Sequence, residues 1–497
     1  MNLDKLLDGL EIQSTVGRLD RSVGSVVTDH RKIQPGSVWV CYRGVLIDAH
    51  RFMAQAVDKR PIAIIAEKSI PVGTPTNIAY VQVDNSRSAL ARIAANWNDR
   101  PAENLDLIGI TGTNGKTSTA HFIASIFRLA HLESALLGTI GYYLGKTALP
   151  AQSTTPDPLT LHGLFAQIYQ NQIRHVIMEA SSQGLDQRRL DHLKFQVAVF
   201  TNLTQDHLDY HRSMKDYLAA KLRLFRQTVP TGLAVINCDL SSDITDSISA
   251  VVQEKSLSNV ITYGLNGQPN VTATNISQST AGLSFRLLIS SGSEKKSTSI
   301  HLKLFGQYNI YNALAAVSVA QHYQVDLNTI KKGLESTVIP GRCEAINLGQ
   351  PFTVIVDYAH TPDGLKNLLQ GIRMKASHRL IVVFGCGGDR DSDKRSLMGK
   401  VASEIADYTI LTSDNPRSEQ PMLIIEQILG AVRGQSDFEY DVILDRKRAI
   451  QRAVEIAKIG DFVVIAGKGH EGYQEIGGVL YPFDDRQVAT ECITNIL

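Results

Sequence analysis

The chain has 497 residues, with 43% hydrophobic and 20% charged side chains, proportions that exclude a disordered or collagen-like polymer. Fifty Lys and Arg against 49 Asp and Glu leave a formal charge of +1. That balance argues against nucleic acid or an anionic membrane as the main partner and leaves room for a local basic pocket. At a typical ~150 residues per domain, the length suggests about three domains.

Residues 1 to about 100 mix short strand-like runs (37–41, 62–66 and 78–83) with one helical run over 86–98. The N-terminus, MNLDKLLDGLEIQ, is acidic and lacks the apolar stretch of a signal peptide. No stretch approaches the ~20 apolar residues of a membrane span. The segment Asn98-Asp99-Arg100-Pro101 reads as a linker. Cys41, Cys238, Cys343, Cys386 and Cys492 are scattered, odd in number and form no C-x-x-C pair, so they read as reduced thiols of a cytoplasmic protein.

A new pattern starts near Leu105. A buried-type strand over 105–111 runs into a Gly-rich loop and then a helix, in which Ile123, Phe127 and Ala130 repeat at helical spacing. The loop, Gly109-Ile110-Thr111-Gly112-Thr113-Asn114-Gly115-Lys116-Thr117-Ser118, has the composition of a phosphate cradle. Glycines let the backbone wrap phosphate oxygens, and the helix N-terminus offers free N–H groups. Lys116 would neutralise the β- and γ-phosphates, and Thr117 would hold Mg²⁺. The spacing is the shorter G-x-x-G-K-T, so a simple strand–helix turn stays open as an alternative.

Further strands are expected over 175–180, 197–203 and 233–238, β-rich segments over 259–305, and a helix over 309–322. Glu179 closes the first of these strands, where a carboxylate suits a Mg²⁺ ligand, although a lone Glu there is more often merely satisfied. Asp206, His207, Asp209 and His211 follow the second. Lys221, on the next helix, reads by itself as a surface lysine. Beyond Pro340-Gly341 the chain alternates strand and helix five times, with strands over 353–356, 380–384, 408–411, 440–444 and 462–466. That alternation predicts a doubly wound, mostly parallel sheet. Gly467-Lys468-Gly469-His470-Glu471-Gly472 fits G-x-G-x-x-G, but 473–483 reads as strand and turn, so the dinucleotide reading fails.

The ordered set GTNGKT, MEASSQGL, TNLTQDHLDYH, AAKLRLF, FGQYNIYN, PGR and DYAHTP resembles the Mur ligase family, the ATP-dependent amino-acid ligases of peptidoglycan synthesis. The resemblance covers nearly the whole chain. It implies an α/β protein of three domains: an N-terminal α/β domain (1–101) for the UDP-linked substrate, a central P-loop ATPase domain (102–339) and a C-terminal Rossmann-like domain (340–497) for the amino acid. By resemblance Gly112, Thr113, Asn114, Gly115, Lys116, Thr117 and Ser118, with Asn312, Arg342, Asp357 and His360, serve ATP. Thr117, Glu179, His207 and Lys221 stand where the family holds Mg²⁺, the lysine as a carbamate; Lys116, Glu179, His207 and Lys221 are the catalytic set. Thr28, His30, Thr154, Thr155, Ser181, Gln187 and Arg189 match contacts to UDP-N-acetylmuramoyl-L-alanyl-D-glutamate. Arg390, Asp414, Asn415, Pro416, Arg417, Gly467 and Glu471 match contacts to the incoming amino acid.

Asp414-Asn415-Pro416-Arg417 is the D-N-P-R of family members that add meso-diaminopimelate. Arg can grip the second carboxylate of that amino acid bidentately, whereas lysine offers no such group. The alternatives are the same ligation with L-lysine, a folylpolyglutamate synthetase-like ligase, and a non-catalytic nucleotide-binding module. Asp29-His30-Arg31 stands where the family usually has Asp-Ser-Arg, and Gly44-Val45-Leu46-Ile47 lacks a polar pair that some members use near the uridine. The resemblance implies small-molecule substrates, no nucleic acid, no membrane insertion and a monomer.

Overall fold

The computed structural model describes residues 1–44, 47–69, 75, 77–279, 282–292, 294–373, 378–434 and 437–497. Val45 and Leu46, in the apolar stretch noted above, lie outside the described residues. Among the described residues three large sheets follow in sequence order, with a small two-stranded one near the C-terminal end.

The first sheet has five strands in the order Ile12–Val16, Ala79–Val83, Ala63–Ala66, Ser37–Val40, Ser25–Val27. All neighbours are parallel except the antiparallel edge strand Ile12–Val16. Ala63–Ala66 and Ser37–Val40 are buried throughout, which is why they read as unbroken apolar runs. The edge strand is exposed at every position, so it carries no alternation and the sequence reading misses it. The helix Ser86–Trp97 covers this sheet, capped by Asn85, whose Oδ1 accepts from the Ser88 N–H at 2.9 Å. It gives way to the expected linker: Asp99 (φ 59°) and Arg100 (φ 52°) are left-handed, and Pro101 opens a 3₁₀ turn.

The second sheet has eleven strands. Its centre is parallel: Ser134–Leu137, His175–Glu179, Asp106–Thr111, Phe195–Phe200, Thr228–Asn237 and Asn259–Gly264. Asp106–Thr111 lies between His175–Glu179 and Phe195–Phe200, so the loops after these three strands share one edge. That is where open α/β sheets bind ligands. The β-rich stretch expected over 259–305 continues this sheet through Val271–Ser279, Gly282–Ser291 and Glu294–Leu302. The third sheet has six strands and is parallel except for its first, Glu344–Ile346. The segment after Ala466 forms an antiparallel hairpin, Tyr473–Ile476 and Val479–Pro482, with no helix between. Among the described residues no helix is long and apolar enough to cross a membrane, and no cysteine is paired.

One buried ion pair ties the third sheet to its helices. Arg446, at the start of Arg446–Ile456, donates to both carboxylate oxygens of Asp485 at 2.7 Å, and both side chains are fully buried. Nη2 also donates to the Ala466 carbonyl at 2.9 Å, at the end of Phe462–Ala466. Arg446→Met strands the carboxylate in the core and should cost about 3–5 kcal/mol. A fall in the urea midpoint for unfolding of the C-terminal unit checks this; an unchanged midpoint contradicts it.

Candidate active site

Loops at the edge of the second sheet hold one another. Thr201 Oγ1 donates to the Asn114 carbonyl at 2.6 Å, Asn202 Oδ1 accepts from the Asn114 N–H at 2.9 Å, and the Asn202 carbonyl accepts from the Thr113 N–H at 2.9 Å. Gly112 (φ 144°) packs so closely on Thr201 that a Cβ there would run into Oγ1. Gly115 (φ 85°) opens the helix Lys116–Leu129 and abuts the Asn312 amide in the same way. Only glycine suits both positions. Lys116 Nζ donates back to the carbonyls of Gly112 (3.0 Å) and Thr113 (2.9 Å). Burial lowers its pKa, and Glu179 and Asp206 oppose the shift.

Lys221 departs from its reading as a surface lysine. It is 1% exposed, donates to the Gly112 carbonyl at 2.8 Å and lies 4.2 Å from the centre of the Tyr217 ring. Burial and the neighbouring Lys116 push its pKa well down. The signal was present: Tyr217, Lys221, Leu224 and Phe225 fall at helical spacing on the buried face of Met214–Arg226. Lysine occupied a core position that pattern reading reserves for apolar residues.

Glu179 is buried and satisfied. Its Oε2 accepts from the hydroxyls of Thr117 and Thr139, both at 3.0 Å, and Oε1 accepts from the Thr139 N–H at 2.9 Å. Thr139 was not singled out in the sequence, since nothing marks a threonine after a short strand. Its hydroxyl also meets that of Thr154 at 3.0 Å. His207 (φ 55°) lies beyond the adjacent strand, with Nε2 3.5 Å from Asp206 and its ring edge-on to Tyr217 at 6.3 Å.

Across from the loop, the C-terminal unit completes a cleft. Asn114, Gly115, Thr117, Ser118 and Asn312 line one side; Arg342, Asp357 and His360 line the other. Arg342 stacks on Tyr358 at 4.4 Å and reaches Thr117 Oγ1 at 3.4 Å. Asp357 accepts from the N–H groups of Cys343 and Ala359, both at 2.7 Å. Burial depresses His360 to about 4, so the ring is neutral at pH 7. Its Nδ1 donates to the Tyr358 carbonyl at 2.8 Å, leaving Nε2 as an acceptor. Asn202, Tyr308, Asp363 and Asn367 also line the cleft and were not picked out in the sequence.

Two more groups assemble. Thr155 Oγ1 donates to the Glu179 carbonyl at 2.8 Å and accepts from the Ser181 N–H at 2.9 Å. Arg189 donates to the Thr155 carbonyl at 2.6 Å and to Gln187 Oε1 at 2.8 Å, so Thr154, Thr155, Ser181, Gln187 and Arg189 form one wall beside Glu179. In the first sheet, Thr28 and His30 line a separate cleft with Tyr42 and Gly44, and His30 stacks on Phe52 at 4.2 Å. In the third, Asn415 Nδ2 donates to Glu471 Oε2 at 2.8 Å. Arg417 Nη1 donates to the Gly388 carbonyl at 2.7 Å and its Nε pairs with Glu475 at 3.1 Å. Arg390 is exposed on the same loop side, and a Cβ at Gly387 would touch both Arg390 and Arg417. Gly467 (φ 115°) leaves room for Asp414 Oδ2, and Pro416 carries the turn between Asn415 and Arg417.

A phosphate loop, a carboxylate at the neighbouring strand end and a two-sided cleft define a nucleotide-using α/β enzyme. Residues 110–320 match the Mur ligase middle domain and residues 341–469 the Mur ligase glutamate ligase domain. The chain belongs to the Mur ligase family. It is 40% identical over 496 residues to the UDP-N-acetylmuramoyl-L-alanyl-D-glutamate–2,6-diaminopimelate ligase of Syntrophomonas wolfei, covering 99% of both chains. It is also 40% identical to the ligase of that name from Bacillus cereus, covering 100% of this chain and 99% of the relative. A solved structure of a ligase of that name superposes with a TM-score of 0.68 at 30% identity, over 100% of this chain and 99% of the other.

Gly112→Ala should abolish high-affinity nucleotide binding while leaving the fold intact, because the added methyl meets Thr201 at a φ that alanine rarely adopts. Titration with a fluorescent ATP analogue checks this; wild-type affinity contradicts it.

Proposed function

We propose that the chain is an ATP-dependent ligase that joins meso-diaminopimelate to UDP-N-acetylmuramoyl-L-alanyl-D-glutamate in the cytoplasm, acting as a monomer. The observation that carries the choice of amino acid is that Arg390 and Arg417 converge beside Gly387, in the same loop cluster that joins Asn415 to Glu471. Two cations beside two carboxylates complement an amino-acid head group, and diaminopimelate carries a second such head. L-Lysine has no second carboxylate to offer these guanidinium groups.

In this reading the three units bring their substrates to one edge. Thr28 and His30 receive the UDP end. Thr154, Thr155, Ser181, Gln187 and Arg189 carry the muramoyl dipeptide toward Glu179. Gly112 to Ser118, with Asn312, Arg342, Asp357 and His360, hold ATP. One glutamyl carboxylate attacks the γ-phosphorus and ADP leaves, giving an acyl phosphate; the neutral diaminopimelate amine then attacks the acyl carbon, phosphate leaves and the amine's proton passes to solvent. Lys116, released from its loop carbonyls, and the loop N–H groups offset the charge on the transferring phosphoryl. Arg342 does the same from the C-terminal side, so its placement requires the two units to stay closed while water is excluded.

Mg²⁺ fits this site in part. The Thr117 hydroxyl and the Glu179 carboxylate are hard oxygen donors within 3.0 Å of each other. Lys221 as a free ammonium has no lone pair to give; its carbamate would supply two oxygens at the same place, and His207 stands nearby. Thr117, Glu179 and a carbamate on Lys221 would hold the cation, which would supply positive charge to offset that of the phosphates.

Arg417→Ala should weaken use of meso-diaminopimelate by a charged hydrogen bond, about 1.5–3 kcal/mol or roughly tenfold to a hundredfold in kcat/KM. Steady-state kinetics with meso-diaminopimelate as the varied substrate check this. Unchanged kinetics sink the assignment of the amino acid.

A further inference from the structure

Of Gly467-Lys468-Gly469-His470-Glu471, the reading above uses the first and last residues. Lys468 is wholly buried, yet its surroundings are polar. Nζ donates to Glu471 Oε2 at 2.8 Å and to Asn415 Oδ1 at 3.0 Å, and lies 3.7 Å from Asp414 Oδ1. Tyr473, at the start of the hairpin, closes over it with its ring centre 5.4 Å away.

The bonds around it form a closed set. Asn415 Nδ2 donates to the same Glu471 Oε2, and Asn415 Oδ1 also accepts from the Glu475 N–H at 2.9 Å. Glu471 Oε2 is therefore held by two donors, while among the described residues no hydrogen bond reaches Oε1. Asp414 Oδ2 lies against Gly467, where the absence of a side chain leaves space. Two carboxylates this close repel, and an ammonium between them offsets that repulsion.

We propose that Lys468 is a positioning residue for selection of the incoming amino acid. It fixes the rotamers of Glu471 and Asn415 so that Glu471 Oε1 and Asp414 Oδ2 are presented together to an ammonium group. The inference rests on the assignment of the Asp414–Glu471 cluster to the amino acid made above. The nearby Arg417, held by Gly388 and Glu475, then addresses the carboxylate of the same head group.

The test compares wild type, K468M, E471Q and the double variant, with KM measured separately for meso-diaminopimelate, ATP and the UDP-linked dipeptide. Turnover of meso-diaminopimelate by wild type tests the assignment itself; the variants test the role of Lys468. K468M should raise KM for meso-diaminopimelate about tenfold or more and leave the other two within about twofold. The double variant should be no worse than the weaker single variant, because both act through one carboxylate. Should K468M fail to fold, K468Q, which keeps a donor but loses the charge, should still raise KM for meso-diaminopimelate alone, by less than about tenfold; no selective rise there overturns the proposal. An unchanged KM for meso-diaminopimelate, equal changes in all three constants, or additive losses would overturn the proposal.

Discussion

Everything at this site depends on the contact between the strand ends Asp106–Thr111 and Phe195–Phe200. Their register sets Phe200 beside Thr111, so Thr201 and Asn202 fall directly on the phosphate loop. Hydrogen bonds from these two residues use the N–H of Thr113 and both polar groups of the Asn114 backbone. The loop is thereby shaped before any ligand arrives, so little ordering remains to be done on binding. Gly112 is the point where this approach is tightest, and Lys221 closes the loop from below through the same residue's carbonyl.

A second constraint is charge. Two anionic substrates meet in a protein whose formal charge is only +1. The structure handles this locally. Lys116 and Lys221 lie against loop carbonyls, Arg342 enters from the C-terminal unit, and Glu179 and Asp206 balance them nearby. Around Asp414 and Glu471 the order is reversed, with the buried Lys468 offsetting two carboxylates. Each subsite carries its own field, and no global excess is needed.

Much of the fold was legible because the parallel strands are buried on both faces and appear as plain apolar runs. The strands Thr353–Asp357, Leu380–Phe384 and Phe462–Ala466 came out within a residue for that reason, and the helix over 309–322 because it is apolar nearly all round. The first sixty residues were harder: Ile12–Val16 is exposed along its length, and Ser25–Val27 is too short to show a period. At the site, glycines, Lys116 and Glu179 could be found because motif chemistry demands them. Thr139 could not, since it acts by supporting Glu179 and lies in no motif; Asn202 and Tyr308 lie within quoted motifs, but nothing in those motifs gave them a role. Lys221 was misread by composition although its helical phase placed it in the apolar stripe.

The central claim is that one site couples ATP cleavage to amide formation with a dicarboxylic diamine. The most direct measurement is phosphate release from ATP in the presence of UDP-N-acetylmuramoyl-L-alanyl-D-glutamate, with the amine varied. Sustained release with meso-diaminopimelate, and little with L-lysine, L-ornithine or no amine, is the predicted result. Equal release with L-lysine, or release that ignores the amine altogether, would contradict the account.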